Sequence, residues 1–200
     1  EIFQYGIAEG KCQHDPAAEI QRALKKPRPK KHMAAVSPSE FPTLVARMHA
    51  YDGDELTKLA LVFTLITMVR TQETRFASID EFENLDGQEP LWRLSPERMK
   101  MTREHLVPLP HQAVTIINRL REKTPGSKYL FPANTKTGVI SENTMLYGLY
   151  RMGYHSRQTT HGLRRCASTI LNESGKFEPD WIETQLAHAD DDKVRGAYNA

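Results

Sequence analysis

The stretch from Glu55 to Val69 (E-L-T-K-L-A-L-V-F-T-L-I-T-M-V) is apolar on nearly every side. A surface helix shows one apolar stripe, whereas a helix apolar all round has to lie inside. Its mainly apolar run, Leu59 to Val69, is too short to span a bilayer, so it reads as the central helix of a globular domain. Arg70 follows directly, and then Thr71, Gln72 and Glu73. An arginine at the end of the most buried helix is costly unless it pairs or faces a functional cleft. Glu73 is the obvious partner to orient it, and an ordinary structural ion pair is the plain alternative.

A chain of 200 residues permits one domain of usual size, or one plus a fragment. A hydrophobic share of 39% with 26% charged residues describes a soluble globular protein. The net charge is only +2, but it is unevenly spread. Arg22, Lys25, Lys26, Arg28, Lys30 and Lys31 fall together with Pro27 and Pro29 and no acid. The remainder is therefore net negative, and any face for a polyanion must be basic locally. Lys26 to Lys31 cannot be helical and form a stiff, basic connector, or else a merely solvated linker. Cys12 and Cys166 are a single distant pair, which gives neither a disulfide framework nor metal spacing and suits a reducing cytoplasm. No signal peptide is visible, and Glu1 in place of methionine points to a chain cut from something longer.

Taken in order, residues 3–24 read as two short helices joined around Asp15-Pro16, too few to bury a core of their own. A helix starts near Ser37-Pro38-Ser39-Glu40, with Leu44, Val45 and Met48 as its stripe, and Asp52-Gly53-Asp54 marks a turn. After the central helix, 85–87, 91–94, 99–101 and 105–109 read as a short antiparallel sheet, with Lys100 in the hairpin between the last two strands. Helices return at 110–122, from Ser141 to about Met152, after Gln158, and from Pro179 to Ala187. The fold class is mainly α with a small antiparallel β-sheet (α+β).

The C-terminal stretch carries the chemistry. His161 and Arg164 stand at i and i+3, on one face of a helix. Thr159 or Thr160 serves as N-cap, which puts His161 in the first turn, where free N–H groups favour an anion. His188 follows, and a short helix started by Asp190 or Asp191 would carry Tyr198. Cations, histidines and one phenol aimed together point to phosphate chemistry through a covalent tyrosine. His-x-x-Arg alone arises often by chance, and a tyrosine near the chain end is usually a packed aromatic.

Together these residues resemble the tyrosine recombinases, most closely the integrases of phages and bacterial genomic islands. V-R-T-Q-E matches the family's arginine at the end of a buried helix with a carboxylate three residues on, hence Arg70 and Glu73. M-K-M-T-R-E-H-L-V-P-L matches the β-hairpin lysine, hence Lys100. The family's His-x-x-Arg is His161 and Arg164, its L-G-H is Leu186-Ala187-His188, and its nucleophile lies in R-G-A-Y-N, hence Tyr198. Glycines often seen around the first arginine are replaced by Met68 and Gln72, and L-G-H has alanine for glycine. On this resemblance residues 1–25 are the end of a helical core-binding domain, 26–36 the basic linker and 37–200 the catalytic domain. A tail beyond Ala200 and the first half of the core-binding domain are expected elsewhere in the full protein.

The resemblance implies a site-specific DNA recombinase, using no cofactor and no metal, that integrates or excises a mobile element through a 3′-phosphotyrosyl intermediate. Tyr198 attacks, Arg70, Arg164 and His188 bind the scissile phosphate, His161 manages the tyrosine's proton and Lys100 protonates the departing 5′-oxygen. Lys25, Lys26, Arg28, Lys30 and Lys31 contact the DNA backbone. Implied partners are double-stranded attachment sites, a homotetramer on DNA, and accessory DNA-bending or directionality factors, with no membrane, in a bacterial cytoplasm beside the nucleoid. Two alternatives stay open: a nicking-closing enzyme like type IB topoisomerases, and a DNA-binding module without catalysis. A zinc or magnesium hydrolase is disfavoured, because the histidines lack a carboxylate or thiol cluster at ligand spacing.

Overall fold

The computed structural model describes residues 2–18, 20, 33–99 and 102–187. The chain divides into two compact units, Glu1–His32 and Met33–Ala200. In the first, helix α1 spans Ile2–Ala8 and buries no residue, in keeping with a segment too short for a core. Most of the second short helix expected there, and the basic connector, lie outside the described residues.

In the second unit, α2 (Phe41–His49) buries Leu44 and Met48. Helix α3 (Glu55–Thr67) is the central one, as its composition requires. Asp54 caps it, its carboxylate accepting from the Thr57 amide at 2.8 Å and the Thr57 hydroxyl at 2.7 Å. Ala60, Leu61 and Phe63 are fully buried. The buried Thr64 and Thr67 hydroxyls donate to the carbonyls one turn back, so the helix takes polar side chains inside without orphaned groups. Around α3 pack α2, α4 (Thr71–Arg75), α5 (His111–Lys123), α6 (Thr144–Leu149) and α7 (Thr160–Ser174). Helix α8 (Pro179–Gln185) packs on α7.

The sheet is antiparallel with order β1 (Phe82–Glu83), β2 (Leu91–Leu94), β3 (His105–Pro108). Register pairs Trp92 with Val107 and Leu94 with His105, and the inward face of Trp92, Leu94 and Val107 is fully buried. The strand expected at 85–87 is instead a turn. Asn84 sits at φ 53° and its carbonyl accepts from the Gly87 amide at 2.9 Å, the local preference of an Asn-x-Asp-Gly run. Nor does Met99 enter a strand. A 3-10 turn, Pro96–Arg98, precedes it, and 100–101 lie outside the described residues.

Three helices stop short of their expected ends. Met68 terminates α3 in the left-handed conformation at φ 55°, and Ala187 follows α8 at φ 48°. After Leu149 the chain makes a π-turn, Tyr150–Tyr154, that contains Gly153 at φ 89°. Helical periodicity carries through these positions in the sequence and gives no sign of the reversal.

Residues 33–36, counted with the linker on sequence, lie along the start of α7. The Ala34 carbonyl accepts from the Thr159 amide at 3.0 Å and the Thr159 hydroxyl at 3.3 Å. The Val36 amide donates to Gln158 Oε1 at 2.8 Å, and the Val36 carbonyl lies 3.2 Å from Cys166 Sγ. A Cβ on Gly162 would stand 2.3 Å from the Ala34 oxygen. Only glycine permits that approach.

Candidate active site

The end of α3 turns sharply at Met68 and delivers Arg70 as the N-cap of α4. Glu73, 3% exposed, holds that arginine twice. Its Oε1 accepts from Arg70 Nη1 at 2.8 Å, and its Oε2 accepts from the Arg70 amide at 2.6 Å. The second bond satisfies a helix-start amide and fixes the carboxylate, so the pair is oriented as well as neutralised. Arg70 keeps 26% of its side chain open to solvent.

Thr159 caps α7, its hydroxyl accepting from the Gly162 amide at 2.9 Å. That places His161, exposed, in the first turn and Arg164, 4% exposed, one turn on. The start of α7 is tied to the start of α4 by a hydrogen bond of 3.2 Å between the Thr71 and Thr160 hydroxyls. Arg164 Nη1 donates to the Met68 carbonyl, and Nη2 donates to the Leu186 carbonyl at 2.6 Å. Arg70 Nη2 donates to the next carbonyl, Ala187, at 3.0 Å. The two guanidiniums thus converge on consecutive carbonyls at the end of α8, where the chain enters His188. Gln185 Nε2 adds a bond of 2.8 Å to the Thr67 carbonyl.

Carbonyl dipoles satisfy donors but do not cancel charge. Burial, and next the neighbouring Arg70, push the Arg164 guanidinium down to about 10, against the opposing pull of Glu73 and Glu183. An oxyanion placed beside this guanidinium would favour its charged form. A cleft of about 450 Å³ nearby is bounded by Gln72, Glu73, Arg98, Lys128 and Tyr129 among others.

The structure therefore brings together Arg70, Glu73 and Arg164, with His161 on the same helix as Arg164. Lys100, His188, Tyr198 and the connector residues Lys25, Lys26, Arg28, Lys30 and Lys31 lie outside the described residues. Two further residues at the site were missed on sequence. Arg98 donates to both oxygens of Glu81 and, at 3.0 Å, to the Glu73 carbonyl. Glu81 in turn accepts from Trp92 Nε1 at 2.9 Å, so the chain two residues before Lys100 is braced against α4. The other is His105, 7% exposed, whose signal was the alternation of His105, Val107 and Leu109 along an inward face. Among the described residues no group of three or more His, Cys, Asp or Glu side chains is placed to hold a metal ion.

The family model for the phage integrase family matches residues 35–200. The chain belongs to the phage integrase family. The integrase of Enterobacteria phage P4 is 36% identical over 212 residues, covering 98% of this chain and 47% of that protein. Prophage integrase IntA of Escherichia coli K12 is 34% identical over 200 residues, covering 100% and 47%. This integrase-family chain thus spans about half the length of these curated relatives. A lambda integrase tetramer bound to a Holliday junction superposes with a TM-score of 0.66 at 14% identity, over 97% of this chain and 55% of that one. At that identity the likeness establishes the tyrosine-recombinase fold.

Proposed function

We propose that this chain is the catalytic part of a site-specific recombinase that cuts and rejoins DNA to integrate or excise a mobile element. The observation that carries the reading is the convergence of Arg70 and Arg164 at the entry to His188, with positive charge left over. The Tyr198 oxygen attacks the scissile phosphorus, a P–O bond forms to the tyrosine, and the bond to the 5′-oxygen breaks. His161 takes the phenol proton, and Lys100 gives a proton to the 5′-oxygen. Arg70 and Arg164, with His188, hold the non-bridging oxygens as charge builds on them, and Glu73 keeps the Arg70 fork in place. A 5′-hydroxyl from another strand then reverses the step, so the covalent tyrosine stores the bond and no nucleotide is consumed.

The P4 and IntA relatives are phage and prophage integrases, which supports a bacterial setting and a mobile element as the cargo. The lambda integrase tetramer on a Holliday junction supports a tetramer on DNA, and double-stranded attachment sites are the substrate in this reading. Accessory bending or directionality factors, and work beside the nucleoid, complete the reading.

A suicide duplex carrying a nick beside the cleavage position tests it. The wild-type chain should form a denaturation-resistant protein–DNA adduct, and Tyr198→Phe should bind DNA equally while forming none. Adduct formation by the phenylalanine variant would sink the assignment of the nucleophile. Absence of adduct from wild type, with DNA binding intact, would sink catalysis by this chain.

A further inference from the structure

Helix α4 has only five residues, so the carbonyls of its last turn need donors from beyond the helix. The Phe76 amide donates to the Gln72 carbonyl and the Ala77 amide to the Thr74 carbonyl, each at 3.2 Å, passing over Glu73. Arg98, closing the 3-10 turn Pro96–Arg98, supplies a donor there, its Nη2 reaching the Glu73 carbonyl at 3.0 Å. Glu73 is thereby held at two ends. Its carboxylate accepts from Arg70 and its carbonyl accepts from Arg98. The other arm of the Arg98 fork, Nη1, donates to both oxygens of Glu81. That carboxylate is itself fixed, since Oε2 accepts from Trp92 Nε1 at 2.9 Å and from the Ser78 amide at 3.1 Å. The Arg98 and Glu81 side chains are 23% and 15% exposed, so the pair lies largely out of water and keeps a defined geometry. Met99, the next residue, is buried in the core, and its carbonyl accepts from the Thr102 amide at 3.0 Å. The described chain is thus anchored on either side of positions 100 and 101.

We propose that Arg98 is a positioning residue for proton delivery to the leaving group, tying the chain that carries Lys100 to the residue that orients Arg70. The inference rests on the reading of Lys100 as the proton donor given above. In that reading Arg70 acts on the non-bridging oxygens and Lys100 on the departing 5′-oxygen of one phosphate, so their supports must keep a set distance. The supports belong to separate elements, α4 and the segment after β2, and the Arg98–Glu73 bond joins them directly. An arginine suits this task. Its planar fork meets a carboxylate with one nitrogen and a carbonyl with the other, whereas a lysine is a point charge on a flexible stem.

The chemistry of the leaving group separates this role from a general loss of structure. A 5′-alkoxide needs a proton as its bond to phosphorus breaks, and a general acid there contributes about 10²–10⁴-fold. A thiol is far more acidic, with a pKa of about 8.5 for cysteine, so a 5′-thiolate leaves unprotonated. Sulfur in place of the bridging 5′-oxygen therefore repairs a missing or misplaced acid. It repairs neither a displaced Arg70 nor a poorly folded chain.

Suicide duplexes with oxygen or sulfur at that bridging position test this on the full chain. Arg98→Met keeps the reach of the side chain and removes its donors. With oxygen it should lower the cleavage rate by up to ~10²-fold at unchanged DNA affinity. With sulfur it should cleave as fast as wild type. Lys100→Ala should behave alike with a larger oxygen defect, and adding Arg98→Met to it should cost nothing more. Arg98→Lys keeps the charge beside Glu81 but loses the fork, and should show a smaller oxygen defect that sulfur again removes. An Arg98→Met defect that persists with sulfur, as that of Arg70→Ala should, or no defect with oxygen, would overturn the proposal. If Arg98→Met does not fold, Arg98→Lys decides by the same comparison. If wild type forms no adduct, or sulfur fails to rescue Lys100→Ala, the mechanism above falls and the role of Arg98 with it. Rescue of Lys100→Ala without rescue of Arg98→Met sinks the positioning role alone.

Discussion

Two hydrogen-bonded arginines in this molecule, Arg93 and Arg164, could hardly differ more. Arg93, on β2, meets Glu83 at 2.7 Å and Glu104 at 3.1 Å, with 42% of its side chain in water. Those carboxylates raise its pKa further. Arg164 is 4% exposed, donates among the described residues to the Met68 and Leu186 carbonyls, and is pushed down to about 10. The surface arginine has its counter-charges already. The buried one is bonded to dipoles among the described residues, with Glu73 and Glu183 only pulling against its burial. Burying a cation with little counter-charge costs stability, and such perturbed groups cluster at functional sites.

The sharpest way to break this contrast is to remove Arg164. Arg164→Ala should cut adduct formation by at least ~10²–10³-fold. It should also destabilise the fold, because the Met68 and Leu186 carbonyls lose their partner, at ~1–3 kcal/mol for each buried group left unsatisfied. Arg70→Ala should show a similar loss of cleavage with a smaller loss of stability, since Arg70 is partly exposed. Equal stability losses in the two variants, measured by denaturant unfolding, would remove the distinction.

Next come the two left-handed positions whose neighbourhood Arg164 spans. Both replace glycines often seen in the family, and both carry a side chain at a φ that favours glycine. Met68→Gly should nonetheless destabilise, by ~2 kcal/mol or more, because Met68 is 6% exposed and packs with Ile182 and Leu186. Ala187→Gly has little side chain to lose and should stabilise by ~1 kcal/mol. Opposite signs in thermal unfolding are the expected result. The same sign in both would mean that packing or strain alone governs the site. Smallest of all is Arg93→Ala, which should leave both cleavage and Tm as they are, since exposed pairs contribute little.

These positions also show what a sequence can and cannot disclose. The buried helix Glu55–Thr67, the turn before it and the Thr159 cap follow from local pattern, and each is present. The Arg70–Glu73 pair follows from the cost of an arginine at a buried helix end. Met68 and Ala187 were noted only as departures from a motif. Their left-handed turns are imposed by packing and by Arg164, which lies 96 and 22 residues from the carbonyls it holds. Arg98 escaped for the same reason. It acts in part through the Glu73 carbonyl, brought near by the fold, and a backbone carbonyl has no letter in a sequence. The turn at 84–87 was misread because alternating apolar residues outweighed a local Asp-Gly signal.

The segment 33–36 bears on where this domain begins. Counted by its helices, the catalytic unit would open at α2, and a fragment begun at residue 37 would retain Arg70, Glu73, His161 and Arg164. It would lack the Ala34 carbonyl that holds the Thr159 amide and hydroxyl, and the Val36 groups that meet Gln158 and Cys166. Gly162, hollowed out for an oxygen that was no longer there, would face an empty notch beside His161. A border drawn at the first helix would leave every candidate residue in place and unseat the helix that presents two of them.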